Sequence, residues 1–186
     1  MAAEDPFARR LGLVVSILQR TGEVNGRTRL QKLTYLVNLL WNCFDDFGFH
    51  YYGPFSQDLV WEVELLRDNG FVQEETRTTG NARVMYRYRL SPEAVERAET
   101  VVRNISSQQL RVATDALVDE LESYSSDNLE IMASLVYLRF SNPAEDDGAL
   151  VRDLRELKPY FSAEEIRGGL RIFGILRNHG VNVPRA

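Results

Sequence analysis

Ligating and sulfur chemistry have little to draw on in this sequence: among 186 residues there is one cysteine, Cys43, and two histidines, His50 and His179. A single thiol excludes an intramolecular disulfide, and these three side chains cannot assemble a Cys/His zinc site from one chain. No apolar run approaches the ~20 residues needed to span a bilayer. The opening Met1-Ala2-Ala3-Glu4-Asp5-Pro6 is acidic and has no basic flank, so it does not read as a signal peptide, and the expected location is cytoplasmic, with no membrane partner. Lysine is scarce as well: of 22 basic residues only Lys32 and Lys158 are not arginine, a skew that reads as genomic base composition. There is neither a phosphate-cradling glycine loop nor a nucleophile elbow. No catalytic residue, metal ligand set or cofactor follows from the residues that are present.

The formal net charge of −5 argues against indiscriminate polyanion binding, which needs a basic field. The acidity is uneven: residues 1–90 hold 11 basic and 11 acidic side chains, whereas residues 91–186 hold 11 and 16. Apolar content of 44% and charged content of 26% are ordinary for a globular chain. At this length, one domain or two subdomains sharing a core bury roughly 70% of the unfolded surface.

Periodicity supplies the elements. Phe7, Leu11, Val14, Val15 and Leu18 predict a first helix ending at Thr21-Gly22. After a turn at Asn25-Gly26, Leu30, Leu33, Val37, Leu40 and Phe44 predict a core helix, stopped by Asp45-Asp46-Phe47-Gly48. Phe49 to Tyr52 reads as a short extended connection. Gly53 and Pro54 then turn the chain, and Ser56 caps a third helix with Leu59, Val60, Val63 and Leu66 inward. Phe71–Thr76 and Val84–Leu90 predict a hairpin, with Val84, Tyr86, Tyr88 and Leu90 on one face.

Beyond Leu90 the pattern is helical. The predicted caps are Ser91, Ser106 (with Gln109), Asp127 and Ser162 (with Glu165). The buried stripes run Val95, Ala98, Val102, Ile105; Leu110, Ala113, Leu117, Leu121; Leu129 to Phe140; Leu150, Val151, Leu154, Leu157; and Ile166, Leu170, Phe173, Leu176. Gly168, Gly169 and Gly174 in the last helix imply close backbone approach.

The segments Arg29-Leu30-Gln31-Lys32-Leu33-Thr34-Tyr35-Leu36, Tyr52-Gly53-Pro54-Phe55-Ser56 and Leu65 to Phe71 resemble the YwgA-like group of prokaryotic proteins, and the resemblance extends through Leu157 to Ile166. The first two segments with Leu65 to Gly70 are also similar to the Panacea antitoxin domain, over about the first 70 residues. The first resemblance implies a winged helix with a helical extension and no settled activity. The second implies neutralisation of a partner protein. Neither carries a functional residue over to this chain.

Two catalytic readings are set against structural ones. Glu156-Leu157-Lys158 matches the acidic-x-lysine element of metal-dependent nucleases, with Asp153 or Asp146 as further ligand. The structural reading places Lys158 against a helix C-terminus. Asp45-Asp46 with His50 and Cys43 suggests hydrolysis, but lacks a second basic partner and reads as a helix-ending turn.

The expected fold is therefore mainly α with a small β-hairpin: a winged helix-turn-helix unit at 7–90 packed on a helical bundle at 91–180. The expected function is a non-enzymatic regulatory or adaptor protein, antitoxin-like or a complex subunit, that binds a protein partner through Gln57, Asp58, Trp61 and Glu62 of the third helix. The alternative is a DNA-binding regulator using the arginine-rich ribbon, Arg77, Asn81, Arg83, Arg87 and Arg89. Carboxylates on the third helix, Asp58, Glu62, Glu64 and Asp68, oppose it. A metal-dependent nuclease is the remote third reading. Paired winged helices would give a two-fold geometry, which leaves a homodimer open.

Overall fold

A computed structural model of the chain describes residues 5–78 and 84–185. The protein is mainly α with a small β component. In order, the elements are α1 (Pro6–Thr21), β1 (Glu23–Asn25), α2 (Arg27–Trp41), β2 (Gly48–His50), β3 (Gly53–Phe55), α3 (Gln57–Asp68), β4 (Val72–Thr78) and β5 (Val84–Leu90). A 3-10 turn at Pro92–Ala94 then leads into α4 (Val95–Ile105), α5 (Gln108–Glu122), α6 (Ser126–Ser141), α7 (Asp147–Leu157), α8 (Ala163–Gly169) and α9 (Ile172–Asn178).

The first half follows its apolar spacing. Asp5 caps α1 by accepting from the Phe7 N–H at 3.0 Å, and Leu13 to Leu18 fill the core. Helix α2 stops earlier than the sequence suggests, at Asn42 in the left-handed region (φ 50°), whose N–H donates to the Asn38 carbonyl. Asn38 then holds the departing chain: its Oδ1 accepts from the Cys43 and Phe44 N–H groups, both at 3.0 Å. Asparagine tolerates the left-handed backbone that ends a helix, so the stop precedes the acidic pair.

Two short ladders were not legible as strands. Glu23–Asn25, of which the sequence places only Asn25, in a turn with Gly26, pairs antiparallel with β5 (Val24 opposite Tyr88), so the sheet runs β1-β5-β4. The connection at Phe49 is a ladder too, with β2 against β3 and His50 opposite Gly53. Three-residue strands carry no usable periodicity and exist because a partner strand supplies their hydrogen bonds.

In the second half the helices stand where periodicity places them, while caps and phases shift. Ser107, not Ser106, caps α5 by accepting from the Leu110 N–H at 3.1 Å, and the Ser106 hydroxyl turns back to the Val102 carbonyl. Ser125, not Asp127, caps α6. The Ser162–Glu165 capping box forms as expected. The 3-10 turn changes the phase of α4, so Ala94, Ala98 and Val102 face inward while Val95 is exposed; Leu157, at the end of α7, is exposed as well. In α5, Thr114, Leu117, Val118 and Leu121 are the buried set. The single last helix divides at Leu170-Arg171 into α8 and α9.

Helix α6 lies at the centre, packed on α2, α7, α8 and β3. One contiguous apolar core joins residues from both halves. Polar bonds join them too: the Trp41 indole N–H donates to Thr114 Oγ1 at 2.8 Å, and Arg29 donates to the Glu122 and Tyr124 carbonyls at the end of α5. Of Gly168, Gly169 and Gly174, Gly169 makes the closest approach: a Cβ there would stand 2.5 Å from Ile131 Cγ2 and 3.1 Å from Leu135 Cδ1. At Gly174 nothing lies within 4 Å. Gly169→Ala should therefore lower stability by about 1–3 kcal/mol through overpacking. Gly174→Ala should raise it by up to about 1 kcal/mol through helix propensity, both read as urea midpoints at unchanged slope.

Candidate functional site

Two side-chain assemblies stand out, one wet and one dry, and the turn from β2 to α3 connects them. The wet one is the outer face of α3. Helix α3 starts where Ser56 Oγ accepts from the Leu59 N–H and donates to Asp46 Oδ1 at 2.6 Å, while Asp46 Oδ2 accepts from the Asp58 N–H. Asp46 is thus an anchor of this helix, with Cys43 buried nearby and its thiol pushed up to about 11 by burial. These contacts tie Asp46 to the start of α3 and leave Cys43 a buried thiol. His50 stacks on Phe55.

Four proposed partner-binding residues lie on α3, and they divide. Gln57 is exposed, Asp58 half-buried, and Trp61 is 59% exposed with Leu65, one turn on, at 38%. Glu62 is not on that surface: it is 3% exposed, because α1 covers that flank, and it accepts from Arg10 Nε at 2.6 Å. Burial raises the Glu62 carboxyl above its ordinary value, against the lowering effect of Arg10. Arg10 also pairs with Asp58 at 3.6 Å, and Arg67 with Asp68 at 3.0 Å, so two arginines serve three of the four carboxylates expected to repel phosphate.

The ribbon is matched in the same way. Arg87 lies 3.5 Å from Glu23 and 3.9 Å from Glu75, and Arg89 pairs with Glu75 at 2.7 Å. Arg77 is exposed opposite Met85; Asn81 and Arg83 lie outside the described residues. Between α3 and the sheet a groove of about 260 Å³ is floored by Leu30, Leu59, Val60 and Val63 and edged by Arg27 and Glu74.

The dry assembly was missed by sequence reasoning. Lys32 and Lys158, the only lysines of the chain, are 1% and 0% exposed and gather around Glu130, itself 5% exposed. Lys158 Nζ donates to Glu130 Oε1 at 2.7 Å, to the Tyr160 hydroxyl at 3.1 Å and to the Tyr51 carbonyl; Lys32 Nζ donates to the Pro54 carbonyl at 2.6 Å. Tyr160 Oη donates to Glu130 Oε1 at 2.6 Å, and its phenol is raised above its ordinary value by burial and by that carboxylate. Next in sequence to Lys32, the Gln31 amide exchanges two 2.9 Å bonds with the Ser56 backbone. The Tyr51–Ser56 turn is therefore pinned by side chains at several points.

This arrangement replaces both readings of Glu156-Leu157-Lys158. Glu156 is exposed while Lys158 turns inward, so the two do not converge as a nuclease element requires. Nor does the Lys158 ammonium complement the α7 C-terminus; it serves the turn. Asp146 caps α7 and Asp147 pairs with buried Arg139. Among the described residues no group of three or more His, Cys, Asp or Glu could hold a metal ion.

Above the dry cluster, Tyr51 and Tyr52 are 69% and 57% exposed and Tyr160 47%, with the Tyr51 ring centroid 4.9 Å from Tyr52 and 5.8 Å from Tyr160. Gly53 makes the turn possible: its φ is +82°, and a Cβ would stand 2.5 Å from Ser134 Oγ. The available signal was the scarcity of lysine itself, with each copy inside a segment of the family resemblance.

The chain is similar to a Bacillus subtilis (strain 168) protein titled "Uncharacterized protein YwgA", 28% identical over 126 residues, which is 67% of this chain and 71% of that protein. The relative bears the name of the group that the first segments resemble. No family model matches the chain, and no solved structure matches it. Among the described residues no helix is long and apolar enough to cross a membrane.

With a single carboxylate serving two buried ammoniums, Glu130→Gln should lower stability by about 3 kcal/mol at pH 7, because it leaves buried cations without a counter-ion. Chemical denaturation checks this; a loss below about 1 kcal/mol would mean the cluster is not dry.

Proposed function

We propose that the chain is a non-enzymatic recognition module, a regulatory or adaptor protein, in which residues 7–90 act as a winged helix and α3 presents its outer face to a protein partner. The observation that carries this reading is Trp61, left 59% exposed in a chain that buries its other tryptophan, Trp41, almost completely. Gln57, Trp61, Glu64, Leu65 and Asp68 recur at i, i+4, i+7, i+8 and i+11 and form one exposed stripe. Exposed tryptophan beside an aliphatic residue, within a polar rim, is the composition of an interface hot spot.

Electrostatics favours protein over nucleic acid. Phosphate binding draws on arginines free to release counter-ions, and Arg87 and Arg89 are already engaged by Glu23 and Glu75. The outer face of α3, with Arg67 beside exposed Glu64 and Asp68, keeps a net negative charge and offers phosphate no attraction. An apolar or amphipathic segment fits it better than a polyanion does.

Tagged wild-type chain and Trp61→Ala, expressed in the native cell, test the reading. A partner should be retained by the wild type and lost by about 2 kcal/mol, roughly 30-fold in affinity, in the variant, with unchanged melting temperature. Fluorescence anisotropy against mixed-sequence duplex DNA at two salt concentrations supplies the opposing outcome. Salt-sensitive binding abolished by Arg77→Glu with Arg87→Glu would make DNA the partner instead.

A further inference from the structure

The dry cluster does not balance: two ammoniums face one carboxylate, in a space that admits almost no solvent. The two ammoniums are not equally placed. Lys158 has three acceptors for its three N–H groups, the Tyr51 carbonyl, Glu130 and the Tyr160 hydroxyl. Lys32 bonds to the Pro54 carbonyl, and Glu130, the carboxylate that acts on it, is already taken by Lys158 and Tyr160. Every other basic residue in the chain is arginine, which cannot lose its proton in a protein; these two positions hold the side chain that can.

We propose that the Lys32–Glu130–Lys158 cluster is a proton-dependent latch on the Tyr51–Pro54 turn, tightening its hold on the turn and its exposed tyrosines when Lys32 releases its proton to solvent. The neutral amine still has N–H groups to give to Pro54, and the cluster then contains one cation and one anion. One further polar atom beside the turn lacks a partner. Ser134 Oγ is buried without a hydrogen-bond partner among the described residues, and a Cβ at Gly53 would lie 2.5 Å from it and 3.5 Å from Lys32 Cε.

The charged and titratable groups that face Lys32 are Glu130 from α6 and Lys158 from the end of α7, with the Tyr160 phenol bonded to both. Burial lowers Lys32 from 10.5 to about 8; Glu130 opposes the shift and Lys158 adds to it. An unfolded lysine keeps its proton until about pH 10.4. Between about pH 8 and 10 Lys32 therefore makes stability rise with pH. Cys43, its thiol pushed up to about 11 by burial, acts the other way over the same interval, because the unfolded thiol ionises first, so the Lys32 contribution is the difference between the wild type and a variant without it. Above about pH 10 the sign reverses. Tyr35, Tyr88 and Tyr160 are raised above the ordinary value in the fold, so unfolded tyrosines ionise first.

Two lysines make the test direct. Chain labelled with ¹⁵N-lysine should give two side-chain signals, and the one absent from Lys32→Met should titrate near pH 8. Both signals unmoved to pH 10 would overturn the proposal without any variant. From pH 7.5 to 9.5 the wild-type melting temperature should gain roughly 5 °C on that of Lys32→Met. Over the same interval, hydrogen-exchange protection at Tyr51 to Phe55 should rise about tenfold. Lys32→Met should show neither gain; a variant with the wild-type slope in melting temperature, or with the wild-type change in protection, refutes the latch.

Discussion

Buried charge is the constraint on which the rest of the structure turns. Lys32, Lys158 and Glu130 come from α2, the end of α7 and α6, and each is tolerable in a dry interior only where the others are. Their meeting point fixes how these helices cross and leaves Nζ donors over for backbone carbonyls. Those carbonyls belong to Tyr51 and Pro54, so the ions that join both halves also hold the turn leading into α3. Gln31 and Asp46 extend the hold to Ser56 and the first turn of that helix.

The effect is a preorganised outer surface. A two-residue tip carrying exposed Tyr51 and Tyr52 would fray if left to a three-residue ladder. Here the backbone of the tip is bonded to side chains that cannot move without exposing a charge pair to a changed environment. The same rigidity passes to α3, whose Trp61 and Leu65 face water from a helix anchored at its start by Asp46 and along its inner flank by Glu62 and Arg10. A recognition surface held this way loses little conformational entropy on binding.

Charge counting along the sequence misdescribed both faces of the proposed winged helix. The carboxylates of α3 and the arginines of the ribbon are real, yet Arg10 comes from α1 to meet the first and Glu23 from β1 to meet the second. Glu23 reaches Arg87 because β1 joins the sheet, and that strand has no signature of its own. Trp61, by contrast, was identified correctly as a face residue because helical spacing opposes it to Leu59, Val63 and Leu66.

The sequence by itself determined the helices, the hairpin, the Ser56 and Ser162 caps and the mainly α class, because apolar periodicity and cap chemistry act over a few residues. It also marked Gly53 and Pro54 as a special turn. Tertiary structure decided which ends shifted by a residue or two, the three-residue strands, the burial of Glu62 and the fate of both lysines. The physical reason is range. A helix is set by neighbours three and four residues away, whereas Lys158 meets Tyr51 and Arg10 meets Glu62 across long stretches of chain. The inward turn of a charged side chain depends on a counter-charge that only folding brings within reach.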